Sequence, residues 1–145
     1  MIENIDILYH ADIPSLKQTE RGDWIDLRCA EDTVIAGGGV AKVSFGISMK
    51  LPDGYEAHVV PRSSLHKHFG VIQTNSMGII DNSYCGPNDI WFVELYNTGN
   101  TLVTIPKGAR ICQFRIVKKM PKIKFNNVYS LSGEDRGGHG SSGIY

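Results

Sequence analysis

Between Asn75 and Gly86 the chain packs most of the residues able to do chemistry: Asn75, then Gly78-Ile79-Ile80, Asp81 and Tyr84. Asp81 closes a short apolar run and opens a turn. An aspartate so placed is either a simple turn former or a carboxylate aimed into a cleft, with two isoleucine side chains buried behind it. In the second case it can orient a water attacking phosphorus and accept its proton. Burial would raise its pKa and a neighbouring arginine would lower it, and the residue pattern leaves that balance open. Tyr84 is either a hairpin aromatic or a ring lying under a sugar, leaving no room for a 2′-hydroxyl. Steric exclusion rejects an added hydroxyl where weaker apolar contact would not.

Two further segments have the chemistry of an anion cradle. Arg62-Ser63-Ser64 follows Pro61, which stops the preceding strand. Hydroxyls and successive backbone N–H groups in a turn form an anion-binding concavity, and the guanidinium adds a planar fork matched to phosphate. Downstream, Arg110 and Gln113 begin a strand after the Pro106-Lys107-Gly108 turn. Alternation predicts Ile111 and Gln113 on one face, Arg110 and Cys112 on the other. Gln113 is a candidate donor to a phosphate oxygen or a polar residue on a solvated face. Near the end of the chain, Arg136, His139, Ser141 and Ser142 alternate with glycines that let backbone wrap closely on a ligand. This pattern predicts a lid ordering on a triphosphate. His66 and His68, two residues apart without a third ligand, read as solvated loop rather than a metal site.

The elements that must position these groups are strands. Short alternating runs are predicted at Asp6–Tyr9, Thr33–Ile35, Ala41–Lys50, Tyr55–Val60, Val71–Thr74, Gly78–Ile80, Ile90–Tyr96, Leu102–Ile105 and Arg110–Lys118. Turns at Leu51-Pro52-Asp53-Gly54 and Asn97-Thr98-Gly99-Asn100 separate some of them. No helical stripe reaches ten residues, and no internal repeat is present. The expected fold is all-β, a jelly-roll-like barrel or sandwich, with residues 1–132 as the domain and 133–145 as a flexible glycine-rich arm.

With 145 residues and 16.0 kDa the chain is one domain. Fifteen basic residues balance fifteen acidic ones, so no global field attracts nucleic acid, and local clusters favour a small phosphate ligand. No apolar run approaches the ~20 residues that cross a bilayer. The first residues lack a basic region followed by an apolar one, and three widely spaced cysteines read as free thiols. The expected address is cytoplasmic, without membrane contact.

Taken together, the segments resemble the trimeric deoxyuridine triphosphatases (dUTPases), across nearly the whole chain. Five motifs carry the resemblance: Arg21–Leu27, with Trp24 where a small residue is usual; Pro61–Leu65; Gly78–Gly86; Gly108–Gln113, with Ala109 where an acidic residue is common; and Arg136–Gly143, with His139 where a phenylalanine normally stacks on uracil. The resemblance implies a jelly-roll protomer and a homotrimer whose sites each draw on three chains. It implies that Asp81 holds the water attacking the α-phosphorus of dUTP and Tyr84 excludes ribose. Asn75 and the backbone of Gly78, Ile79 and Ile80 would read the uracil edge. Ser63 and Gln113 would contact the inner phosphates, with Arg62, Ser64 and Arg110 beside them. Arg136, Ser141 and Ser142 would clamp the γ-phosphate, and Mg²⁺ would be held through phosphates and water rather than by the chain directly. The products would be dUMP and pyrophosphate, limiting uracil in DNA. Two other readings remain: a dCTP deaminase-like relative, separated by ammonia release from dCTP, and an added regulatory role. In the latter, Arg62–Gly70 or Lys118–Tyr129 would grip a protein partner, separated by a pull-down with and without a non-hydrolysable dUTP analogue.

Overall fold

Short aliphatic and β-branched runs, cut by glycine and proline turns, become strands throughout the computed structural model, which describes residues 3–140 and 142–145. In chain order the elements are β1 (Asp6–Tyr9), β2 (Ile25–Arg28), β3 (Thr33–Ile35), β4 (Val40–Ser44), β5 (Ile47–Lys50), β6 (Tyr55–Pro61), α1 (Leu65–Phe69), β7 (Val71–Gln73), β8 (Gly78–Ile80), β9 (Phe92–Asn97), β10 (Val103–Ile105) and β11 (Arg110–Lys118). All recorded pairings are antiparallel. A four-stranded sheet runs β2-β11-β6-β8, a three-stranded sheet runs β4-β9-β7, and the pairs β1-β5 and β10-β3 complete the molecule. The arrangement is the expected jelly-roll-like all-β fold, as a sandwich of separate sheets rather than a closed barrel.

The core lies between the sheets. Leu27, Ala57, Val59, Ile111 and Phe114 come from the four-stranded sheet, and Val43, Val71, Val93 and Leu95 from the three-stranded one. Trp91 packs edge-on against Phe114, with ring centroids 5.2 Å apart and planes at 80°. Such a pair contributes about 0.5–1.5 kcal/mol beyond the area it buries. Buried Asn97 ties the end of β9 to the β3–β10 pair by donating to the carbonyls of Ile35 and Thr101 at 3.0 and 2.8 Å.

Four local expectations change. The strand predicted over Ala41–Lys50 is two strands, broken at Phe45–Gly46, because Gly46 takes φ +66°. Strand β2 was not expected; it is held by pairing with β11, not by its own brief pattern. The His66–His68 segment is the exposed face of α1, which ends at Gly70 in the left-handed region. The alternation expected in β11 fails at its start. A bulge between Arg110 and Cys112 inserts Ile111, so Ile111 and Cys112 are both fully buried.

Beyond Lys118 the described residues form no strand or helix, and Phe125, Tyr129 and Leu131 are almost fully exposed. Among the described residues no helix is long and apolar enough to cross a membrane.

A Cβ on Gly46 would lie 2.8 Å from the Ala30 Cβ and 3.1 Å from the Ala11 Cβ. Gly46→Ala therefore lowers the unfolding free energy by about 1–3 kcal/mol. A denaturant melt checks this, and an unmoved midpoint would mean that the strand break tolerates a side chain.

Candidate active site

The tight turn that carries the chain from β7 in one sheet to β8 in the other builds one wall of the site. In it Ser76 has φ +40°, and the Met77 N–H donates to the Asn75 carbonyl. Gln73, almost fully buried at the end of β7, donates to both the Val59 carbonyl and Asn75 Oδ1, each at 3.1 Å. One buried amide thus locks the Asn75 side chain with its oxygen inward, leaving its NH₂ as a directed donor. Cys112 Sγ lies 3.7 Å from Gln73 Oε1, and burial pushes its thiol up to about 12.

Strand β8 pairs with β6 on one side only, Gly78 opposite Val59 and Ile80 opposite Ala57. Its other edge presents unpaired backbone donors and acceptors, which suit a planar hydrogen-bonding ring. The expectation that both isoleucines are buried holds only in part. Ile80 packs against the core, whereas Ile79 is 59% exposed, because alternation on an edge strand turns it outward.

These elements enclose a cavity of about 470 Å³, lined by Asn75, Gly78, Ile79, Ile80, Asp81 and Tyr84 together with Trp91, Phe92 and Glu94. That volume suits a nucleoside-sized ligand. The Tyr84 hydroxyl donates to the Ile90 carbonyl at 3.0 Å, which fixes the ring against the core. Among the described residues, the buried Trp91 Nε1 finds no acceptor.

Asp81 stands at the rim. Its Oδ2 accepts from the Ser83 N–H at 2.8 Å and from the Ser83 hydroxyl, and Lys119 Nζ lies 3.2 Å from Oδ1. The Ser83 hydroxyl, the Ser83 N–H and the Lys119 ammonium pull the carboxyl down from 3.8 to about 2. The balance that the residue pattern left open between burial and an arginine is thus settled by a serine and a lysine. Asp81 is a fixed anion at neutral pH. Ser83 was legible as an Asx-turn partner two residues on; Lys119 had no sequence signal.

The phosphate-type residues gather elsewhere. Asp26 Oδ1 lies 3.2 Å from Arg62 Nε and its Oδ2 accepts from Arg110 Nη1 at 3.5 Å, so one carboxylate holds both guanidinium groups. Gln113 Nε2 reaches the Pro61 carbonyl at 3.4 Å, and Ser63 and Ser64 lie just beyond at the start of α1. None of these residues lines the Asp81 cavity. From Ala57, opposite Ile80, to Arg62 the chain runs five residues, about 16 Å at the rise of a strand. Arg136, His139 and Ser142 are exposed on the terminal segment, while Ser141 lies outside the described residues. Among the described residues no cluster of three or more histidine, cysteine or acidic side chains is placed to hold a metal ion.

Comparison with known proteins places this geometry in a family. A sequence model of the dUTPase family matches residues 10–143. The SPbeta prophage-derived deoxyuridine 5'-triphosphate nucleotidohydrolase YosS of Bacillus subtilis (strain 168) is 58% identical over 128 residues, covering 88% of this chain and 89% of that protein. The deoxyuridine 5'-triphosphate nucleotidohydrolase of Anaplasma marginale (strain St. Maries) is 34% identical over 139 residues, covering 93% and 91%. Among solved structures, the dUTPase from Streptococcus mutans superposes with TM-score 0.74 at 25% identity, over 81% of this chain and 98% of that one. The Staphylococcus bacteriophage 80alpha dUTPase with dUPNHPP shares the fold, with TM-score 0.80 at 19% identity over 99% and 100%. The chain belongs to the dUTPase family.

Because the Asp81 carboxyl titrates lower in the folded chain than its ordinary 3.8, its contribution to stability is present above about pH 4 and is lost as pH falls towards 2. Ser83→Ala removes the largest cause and moves the titration back up. Carboxyl ¹³C NMR reads the change, and a titration that stays near its original position would rule out Ser83 as the group holding the charge.

Proposed function

We propose that the chain is a dUTP diphosphatase, hydrolysing dUTP to dUMP and pyrophosphate and so limiting uracil in DNA. One observation carries this reading: an ionised Asp81 at the rim of a cavity walled by a fixed Asn75 amide, an open β8 edge and the Tyr84 ring. The uracil lies against β8, its edge met by Asn75 and the backbone of Gly78–Ile80. The deoxyribose lies over Tyr84, which leaves no space for a 2′-hydroxyl. Asp81 accepts a hydrogen from a water, whose oxygen bonds to the α-phosphorus as the bond to the bridging oxygen of pyrophosphate breaks. Asp81, its pKa lowered to about 2, stays ionised and a hydrogen-bond acceptor well below neutral pH.

The phosphates reach beyond one chain. With Arg62 about 16 Å along the strand from the Asp81 end, a second copy supplies Arg62, Ser63, Ser64, Arg110 and Gln113, and a third supplies the arm. We infer a homotrimer, with residues 133–145 closing over the triphosphate through Arg136, Ser141 and Ser142 while His139 stacks on the base. The cofactor is Mg²⁺. The chain's donor set fits an ion carried by substrate, since Ser83 and Lys119 engage Asp81, and Arg62 and Arg110 engage Asp26. Triphosphate oxygens and water, which Mg²⁺ favours, then complete its shell. Bound there, it draws charge from the phosphoryl oxygens. A cytosolic address is consistent with the three free cysteines.

Pyrophosphate release measured with dUTP, UTP, dTTP and dCTP tests the substrate, and only dUTP is expected to turn over rapidly. Asp81→Asn keeps affinity for a non-hydrolysable dUTP analogue but cuts kcat by about 10²–10⁴. Normal turnover in that variant would refute the assigned role. Deleting residues 133–145 leaves a folded oligomer with most activity gone, as size-exclusion chromatography and the same assay would record; failure to assemble would make the segment structural instead.

A further inference from the structure

An ionised carboxylate offers about four lone-pair directions; among the described residues, two of those on Asp81 are filled by hydrogen bonds and a third is met by an ion pair before any water arrives. Ser83 fills both on Oδ2, through its N–H and its hydroxyl, and the Lys119 ammonium approaches Oδ1 at 3.2 Å. Among the described residues, the acceptor direction left to a water is on Oδ1, beside Lys119. The same ammonium donates to Asn82 Oδ1 at 2.8 Å, and the Lys119 N–H donates to the Gly54 carbonyl at 2.9 Å. Lysine 119 is thus tied at its backbone and at its charged end, and its side chain is only about a third exposed.

We propose that Lys119 is a positioning residue for hydrolysis: it turns the Asp81 carboxylate so that a single Oδ1 lone pair, adjacent to the ammonium, binds the attacking water. The inference rests on Asp81 being the water's acceptor. An isolated, half-exposed ion pair contributes little to stability. Here the pair acts on direction. Without Lys119 the carboxylate keeps its Ser83 contacts on Oδ2, but Oδ1 gains a second open direction and the water two competing sites. The cost falls on the fraction of bound complexes with water in line, which appears in kcat rather than in substrate affinity.

The test uses the full-length chain, with thermal melting confirming the fold of each variant. Lys119→Met is expected to lower kcat about fivefold, the rate equivalent of about 1 kcal/mol. KM and affinity for the non-hydrolysable analogue should stay within twofold of the parent, and Lys119→Arg, which keeps a cationic donor, should recover most of the loss. In an Asp81→Asn background the Lys119→Met change should have no further effect, because its action passes through the carboxylate. Asn82→Ala, which frees the second anchor of the ammonium, should give a smaller loss that vanishes when Lys119 is already Met. Unchanged kcat in Lys119→Met, a loss confined to KM, or an equal loss in the Asp81→Asn background would each overturn the proposal. Normal turnover in Asp81→Asn alone would instead remove the reading beneath it, so the two failures are separable.

Discussion

The antiparallel ladder between β6 and β11, seven residue pairs from Cys112–Pro61 to Lys118–Tyr55, is the constraint on which the site depends. Strand β6 carries β8 on its free edge and so fixes where Asp81 emerges. At its other end it delivers Arg62, while β11 contributes Arg110 and Gln113 at one end and Lys119 just past the other. A nearly rigid strand cannot bring its two ends together. The cavity beside Asp81 and the residues Arg62, Arg110 and Gln113 are thereby held at opposite ends of the ladder within a chain, which is why the proposed function calls on a second copy.

Two aspartates in this frame have different tasks because their partners differ. Asp26 sits between Arg62 and Arg110 and keeps two guanidinium groups at one place. Asp81 is held by neutral Ser83 donors on one oxygen and a single ammonium at the other, which lowers its pKa without filling its last acceptor direction. The first carboxylate bridges two guanidinium groups and is structural in effect. The second stays charged, exposed and able to accept one more hydrogen, as orienting a nucleophile requires.

Much of the site was legible because it is local in the chain. Asn75, Gly78–Ile80, Asp81 and Tyr84 fall within ten consecutive residues, one turn, the short strand β8 and the turn after it, so their proximity follows from chain geometry alone. The strands with clear alternation were likewise readable. The break at Gly46 was not, since it answers to Ala11 and Ala30 packing against it. The β11 bulge, which buries Ile111 and Cys112 together, depends on the register with β2. Gln73 was passed over because a buried amide in a three-residue strand looks ordinary until Val59 and Asn75 are beside it.

Residue order by itself determined the all-β class, the short stretch that gathers Asn75, Gly78–Ile80, Asp81 and Tyr84, and the family the chain belongs to. Tertiary structure alone decided that an ammonium stands beside the Asp81 carboxylate, which direction on it stays open, and how far it lies from Arg62. Those quantities depend on which donors lie within hydrogen-bonding reach, and Lys119, nearly forty residues away along the chain, comes within that reach only when β11 is laid against β6.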